Sequence, residues 1–373
     1  RKTLYLFVIL AFNSFNSYAY EYEIKDSYVS TIFGTREENK ADIKSAPFEA
    51  GLLTLDKSKQ VPDNFWFNKD LRYAKAIRKE HAPLAFLIAG TGGNHISPKI
   101  KLMANILYSE GYSVITLPSP SHSNFIVSAS SDSAVGSIEK DSKDLQKVVK
   151  EITRDIIQND DAKITSYVVG GYSLGAAHSA FLSYYADLEK NYPIKFSKVL
   201  MVNPPYDILE SAIKIDKMFN EHIGTTKKDL ADFYEGVYSL IADTYDELGG
   251  MEVGPEILLE TYKRRNIETE GVQVAIGAAF RFSSADMVYS IDVMRKMGVI
   301  VPKDVVVGEY DILKDYYLDS LTYGFEKYAE NMLTDIYNKP LKQLSDETSM
   351  KAIEGYLKDS DKIFLMHNQN DFI

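Results

Sequence analysis

The chain has 373 residues, 45% hydrophobic and 25% charged, with a formal net charge of −11. A polypeptide of this length and apolar content can bury a large core, so a globular protein of one large domain with an insertion, or of two domains, is expected. The acidic balance argues against nucleic acid or an anionic membrane surface as partner, since both reward clustered Lys and Arg. The absence of cysteine excludes disulfides, thiolate catalysis, cysteine zinc sites and a lipidated N-terminal cysteine.

The N-terminal residues run in a characteristic order: a basic pair (Arg1, Lys2), an apolar stretch from Leu4 to Phe12, and Ser17-Tyr18-Ala19 as a small-x-small site. That order predicts a secretory signal peptide over residues 1–19, lacking its initiator methionine and too short to span a bilayer. The expectation is an exported protein, periplasmic or extracellular, with no integral membrane segment in the mature chain. Residues 20 to 80 hold short strand-like pieces, Tyr28 to Phe33 among them, ahead of and around the single tryptophan, Trp66.

From Pro83 the pattern sharpens. PLAFLIAG is a continuous apolar run of the kind covered on both faces, ending in Gly90-Thr91-Gly92-Gly93-Asn94. A helix is predicted over Lys99 to Ser109, stopped by Gly111, and YSVITL makes the next strand before a Pro- and Ser-rich loop. Ile138, Leu145, Val148, Val149, Ile152 and Ile156 fall at helical spacing over 138 to 158. Strand Ile164 to Val169, helix Ala176 to Leu188 and strand Lys198 to Val202 follow, the last running into Asn203-Pro204-Pro205. Alternating buried strands and helices predict a doubly wound, mostly parallel α/β sheet. From 206 to 360 the pattern is helical, with stripes at Phe233, Val237, Leu240 and Ile241 and at Phe325, Tyr328 and Met332, and a possible strand at Val305 to Val307. Strand character returns at KIFLM, Lys362 to Met366. The division implied is a core over 20–205, a large helical cap inserted over 206–360, and a core strand with its loop over 361–373.

Within TSYVVGGYSLGAAHSAFLSYY, Gly171-Tyr172-Ser173-Leu174-Gly175 joins a buried strand to a helix. Such a turn lies at the carboxyl edge of the sheet, where ligands of open α/β sheets bind. The glycines two residues before and after the serine relieve crowding so that Ser173 can take a strained conformation at a helix N-terminus, where developing negative charge is favoured. No phosphate-loop or dinucleotide fingerprint competes with this reading.

Here the sequence resembles the α/β-hydrolase family: GYSLG is similar to its nucleophile elbow, and the order of elements over 83–205 and 361–373 matches. The resemblance implies Ser173 as a nucleophile forming an acyl-enzyme, and an oxyanion hole from the N–H of Leu174 and one within the Thr91–Gly93 loop. Family members commonly carry His-Gly in that loop where this chain has Ala89-Gly90-Thr91, so the donor stays open between Thr91 and Gly92. The family's acid follows a later strand, where KIFLMHNQND places Asp371; Asp207, one strand earlier, is the alternative. The family's histidine comes after the acid, and none follows Asp371 in this sequence.

Of the six histidines, His81 should lie at the wrong sheet edge, His178 should pack against the sheet, His222 belongs to the cap, and His367 is too near the acid. His95 and His122, with Tyr172, are candidates to contact substrate. The expectation is therefore a fragment whose catalytic histidine lies beyond residue 373. The function implied is an exported serine hydrolase acting on a small-molecule or lipid ester, needing no metal or cofactor; the oligomeric state is left open. The alternatives are a non-catalytic hydrolase-fold binding module and a serine peptidase of the same fold.

Overall fold

The computed structural model describes residues 25–33, 42–247, 261, 264–265, 267–309, 311, 313–368 and 371–372, without the side chains of 245 and 246. The segment read as a signal peptide, 1–19, lies outside the described residues. Seven strands form one sheet in the order β1-β2-β4-β3-β5-β6-β7: β1 Glu49–Leu53, β2 Leu71–Ala76, β3 Ala82–Ile88, β4 Ser113–Leu117, β5 Ile164–Tyr172, β6 Phe196–Val202 and β7 Ile363–Met366. The β1–β2 and β2–β4 pairs are antiparallel and all pairs from β4 to β7 are parallel.

Burial follows the two-residue period of the central strand. Leu84, Phe86 and Ile88 of β3 face a core formed with helices α4 (Ile138–Asn159) and α5 (Leu174–Leu188), whereas Ala85 and Leu87 face the opposite core under α2 (Pro98–Ser109). Both faces are covered, which is why the strand reads as an unbroken apolar run. In α5, Ala176, Ala177 and Ala180 are fully buried, and their small side chains let the helix lie close to the sheet. The chain leaves β3 toward β4 on one side and returns to β5 on the other. This reversal opens a crevice at the carboxyl ends of β3 and β5.

Two sequence expectations fail. Ser27–Phe33 is a helix (α1), not a strand: Asp26 accepts the N–H groups of Tyr28 and Val29 at 2.9 Å each, a capping interaction that overrides the β-branched and aromatic content. Val29 is buried beside Val272 and Ile276. Val305–Val307 forms no strand; Val306 is 83% exposed, Val307 is buried, and the Val305 N–H closes a turn onto Pro302. A short helix, α3 (Ser123–Ser128), also occupies the segment after the Pro- and Ser-rich loop.

Between the neighbouring strands β6 and β7 the chain is helical. The insertion comprises α6 (Ile208–Ile223), α7 (Lys227–Glu247), α8 (Thr269–Arg295), α9 (Lys314–Leu321), a run from Phe325 to Tyr337 with a π turn at Ala329–Leu333, and a helix at Leu341–Thr348. Arg281 of α8 is buried and ties α8 to α6, donating to Asn220 at 2.6 Å and approaching Asp216 at 3.4 Å. Met287, Val288 and Ile291 of the same helix pack with Phe65, Ile126 and Val127, so the insertion shares apolar core with the residues beneath it. Among the described residues, no helix is long and apolar enough to cross a membrane.

Candidate active site at the end of strand β5

Ser173 follows β5 directly and stands at the N-cap of α5 with φ 53° and ψ −129°. Few non-glycine residues tolerate positive φ, and such strain persists only where the surroundings over-determine it. Here the Ser173 N–H donates to Val202 O at 2.8 Å, and its own carbonyl accepts from Ala176 and Ala177 at 2.9 and 3.2 Å. The flanking glycines are required sterically. A Cβ on Gly175 would lie 2.1 Å from Ile88 O, and one on Gly171 would lie 2.5 Å from the same oxygen. The turn is thus pressed against the backbone at the end of β3, as the spacing G-x-S-x-G predicts.

The loop after β3 faces this turn. Gly92 has φ 65°, and its N–H is already committed to Ser121 Oγ at 2.9 Å, while the Gly93 N–H closes onto Gly90 O at 2.8 Å. The Thr91 N–H has no acceptor among the described residues. Leu174 is the first residue of α5, so its N–H has no intrahelical acceptor. Two uncommitted donors therefore border the cavities that Ser173 lines, and of the two loop candidates it is Thr91 rather than Gly92 that has a hydrogen to give. Insertion helix α8 closes over the loop, because a Cβ on Gly92 would meet Ser283 Oγ at 2.4 Å.

Ser173, Thr91 and Pro205 line two cavities at once. The first, with an empty volume of about 940 Å³, runs beneath the insertion between Leu174, Ile208, Met287 and Leu333. The second is an open cleft of about 1530 Å³ lined by Tyr172, Asn203, Phe280, Asn368 and Asp371. Hydrogen bonds between strand ends hold Asp371 at this edge: Asn203 N–H donates to Met366 O at 2.8 Å, Asn368 N–H to Asn203 Oδ1 at 3.1 Å, and Asp371 N–H to Asn368 O at 3.2 Å. Asp207, in contrast, caps α6 by accepting the Glu210 N–H at 2.9 Å and borders neither cavity. Tyr172 lines the cleft with its ring against Gly90 and Lys99 Nζ 5.7 Å from the ring centroid; burial pushes its phenol up.

The histidines divide clearly. His81 is exposed at the amino end of β3. His95 and His122 border neither cavity that opens on Ser173. Burial, reinforced by the charges of His122 and Arg72, pushes His95 down to about 4, and His122 Nδ1 accepts the Asn124 N–H at 3.0 Å. His367 is half exposed, with Nε2 4.0 Å from Asp371 Oδ2.

His178 departs from the expectation that it merely packs on the sheet. It is fully buried, lines the apolar cavity with Ser173, and has Nε2 3.5 Å from Asp141 Oδ2. That approach lacks hydrogen-bond geometry, and both ring nitrogens are without a partner. Burial raises the Asp141 carboxyl, opposed by His178 and by the Gly136 N–H, which Asp141 accepts at 3.0 Å. A sequence signal for this pair existed: Asp141 falls three residues after Ile138 and four before Leu145, on the buried stripe of its helix.

This sheet order, with a strained serine turn after β5 and a helical insertion after β6, is the α/β-hydrolase fold. No family model and no curated sequence matches the chain. Similar solved structures include Est1E from Butyrivibrio proteoclasticus, at 16% identity over 44% of this chain and 55% of that one, with a TM-score of 0.29. A lipase/esterase from Lactobacillus plantarum aligns at 13% identity over 44% of this chain and 63% of that one (TM-score 0.31). An acylaminoacyl peptidase from Pyrococcus horikoshii aligns at 16% identity over 46% of this chain and 25% of that one (TM-score 0.30). The chain spans less than two thirds of the length of each.

Proposed function

We propose that this protein is an exported serine hydrolase cleaving carboxylic esters or related acyl bonds through an acyl-enzyme on Ser173. The observation that carries the proposal is the strained Ser173 turn wedged against β3, opening on two cavities that Thr91 also lines. In the proposed reaction Ser173 Oγ attacks the acyl carbonyl, and the oxyanion receives the two N–H donors and the N-terminal dipole of α5. The apolar cavity takes the acyl chain, and the open cleft takes the leaving alcohol.

Asp371 orients and charges the base. His178 does not suit that role. It sits five residues along α5 from Ser173, about 7.5 Å deeper at the helical rise, and makes no hydrogen bond to Ser173. The chemistry requires no metal or cofactor.

A fluorophosphonate probe should label the wild-type protein and not Ser173→Ala, with ester hydrolysis lost in parallel by several orders of magnitude. Equal labelling of both proteins would refute the assignment. A non-catalytic binding module of the same fold is the second reading. It is favoured by the lack of any histidine lining the cleft shared by Ser173 and Asp371 among the described residues, and it predicts no labelling of the wild-type protein.

A further inference from the structure

The proposed reaction uses neither His178 nor Asp141, yet both are buried in the wall of the cavity that opens on Ser173. The rest of that wall is strongly apolar, with Val135, Ile138, Leu209, Met287, Ala329 and Leu333 around it. A ring whose Nδ1 has no partner and whose Nε2 has only a poorly aligned carboxylate beside it is unfavourable in such a setting, because a buried polar group without a good hydrogen bond loses its hydration uncompensated. Asp141 relieves only one side of the ring: its Oδ2 is 3.5 Å from Nε2 in poor hydrogen-bond geometry, and Nδ1 has no partner. Two other polar groups in the lining are engaged elsewhere: the Tyr328 hydroxyl donates to Val135 O at 2.6 Å and Thr348 Oγ1 to Leu344 O at 2.9 Å.

We propose that His178 and Asp141 form a polar terminus to the acyl pocket, which selects an ester whose acyl chain carries a hydroxyl group. This inference rests on the reading of Ser173 as the acyl-accepting serine. A hydroxyl is the fitting chemistry because it can accept from the imidazole N–H or donate to its lone pair, and so pairs with whichever ring nitrogen faces the cavity in either tautomer. Its position follows from the helix. Five residues of α5 place His178 about 7.5 Å from Ser173 along the helix axis. An extended alkyl chain gains roughly 1.3 Å per carbon from its bond lengths. The hydroxyl therefore sits about four to six carbons from the scissile carbonyl.

The test is calorimetric titration of the Ser173→Ala protein, which binds without turnover, with methyl ω-hydroxyhexanoate and with methyl heptanoate, an ester of similar length. The hydroxy ester should bind about three- to tenfold more tightly, the worth of one net hydrogen bond. His178→Leu in the same background should abolish the difference while leaving heptanoate binding intact, which also reports that the variant is folded. His178→Gln should retain part of the difference. Equal affinities in Ser173→Ala, a preference surviving His178→Leu, or a preference lost equally in His178→Gln would each overturn the proposal. So would failure of both esters to bind while a fluorophosphonate still labels wild-type Ser173. A hydroxyl preference without labelling would sustain the pocket assignment and refute the catalytic one.

Discussion

Gly175→Ala is the sharpest structural test of the serine turn. The added Cβ would stand 2.1 Å from Ile88 O and 2.5 Å from Ala89 O, and both are backbone atoms with no rotamer to change. Ordinary contact requires the start of α5 and the end of β3 to separate by about 1 Å, a backbone rearrangement at the costly end of overpacking, about 3 kcal/mol or more. The same movement pulls the Leu174 and Thr91 N–H groups apart, and a misplacement of about 1 Å costs on the order of a hundredfold in rate. Urea unfolding midpoints and the rate of fluorophosphonate labelling read the two effects separately. The control is the same substitution at Gly236, exposed within α7 with nothing within 4 Å of its Cβ position. There alanine should stabilise by about 0.5–1 kcal/mol and leave labelling unchanged. A Gly175→Ala protein within about 0.5 kcal/mol of wild type, labelled at the wild-type rate, would refute the packing argument, since buried overpacking of this kind costs about 1–3 kcal/mol even in milder cases.

Asp371→Asn should lower ester turnover by about 10²–10⁴ with little loss of stability, whereas Asp207→Ala should cost about 1 kcal/mol through its lost cap and leave turnover unchanged; the reverse pattern would exchange their assignments. Arg281→Met strands the Asp216 carboxylate in the insertion core and should destabilise by about 3–5 kcal/mol in urea unfolding, and a loss below about 1 kcal/mol would show that the pair is not buried as described. His95 has a folded pKa of about 4 against an ordinary value of 6.5. The unfolded chain therefore binds its proton first as pH falls, so stability is present above 6.5 and is lost as pH drops toward about 4. Because the ring is partly exposed the loss should be on the order of 1–2 kcal/mol after screening, and His95→Asn should flatten that part of the urea-midpoint profile between those two pH values.

The sheet was legible because its strands obey simple rules. β3 is apolar on both faces and ends in glycines, α4 carries its stripe at helical spacing, and GYSLG breaks a strand into a helix of small residues. What escaped was decided by particular contacts. The Tyr28–Phe33 segment has the composition of a strand, yet one carboxylate, Asp26, supplies two hydrogen bonds that start a helix. Val305–Val307 has β-branched content but no partner strand, and only Val307 of the three is buried. The commitment of the Gly92 N–H to Ser121 joins residues 29 positions apart, so no local pattern could separate Gly92 from Thr91. The sequence places His178 in apolar packing because a helix facing a sheet ordinarily buries its side chains there, whereas the N-terminal end of α5 borders a cavity.

The position of the insertion follows from the geometry of a parallel sheet. A chain leaving β6 emerges at the carboxyl edge and must return to the amino edge before entering β7, which pairs with β6 in parallel register. The return is made by the short helix Glu354–Asp359, whose Tyr356 hydroxyl reaches Asp187 at 3.2 Å and lies 2.8 Å from Ser183 Oγ, both on α5. Everything inserted before that return is therefore released beside Ser173, on the edge where β5 ends. That is why α6 and the segment from Phe325 to Thr348 wall the apolar cavity, while the serine, its flanking glycines and the facing loop belong to the sheet. The groups assigned to bond cleavage thus sit on elements fixed by strand pairing, and most of the pocket's apolar lining sits on helices fixed only by packing. Substitutions in the insertion are therefore expected to reshape this cavity without moving Ser173. Asp141 and His178, like Ile138 and Leu174, line the same cavity from α4 and α5, which are held against the sheet that positions Ser173.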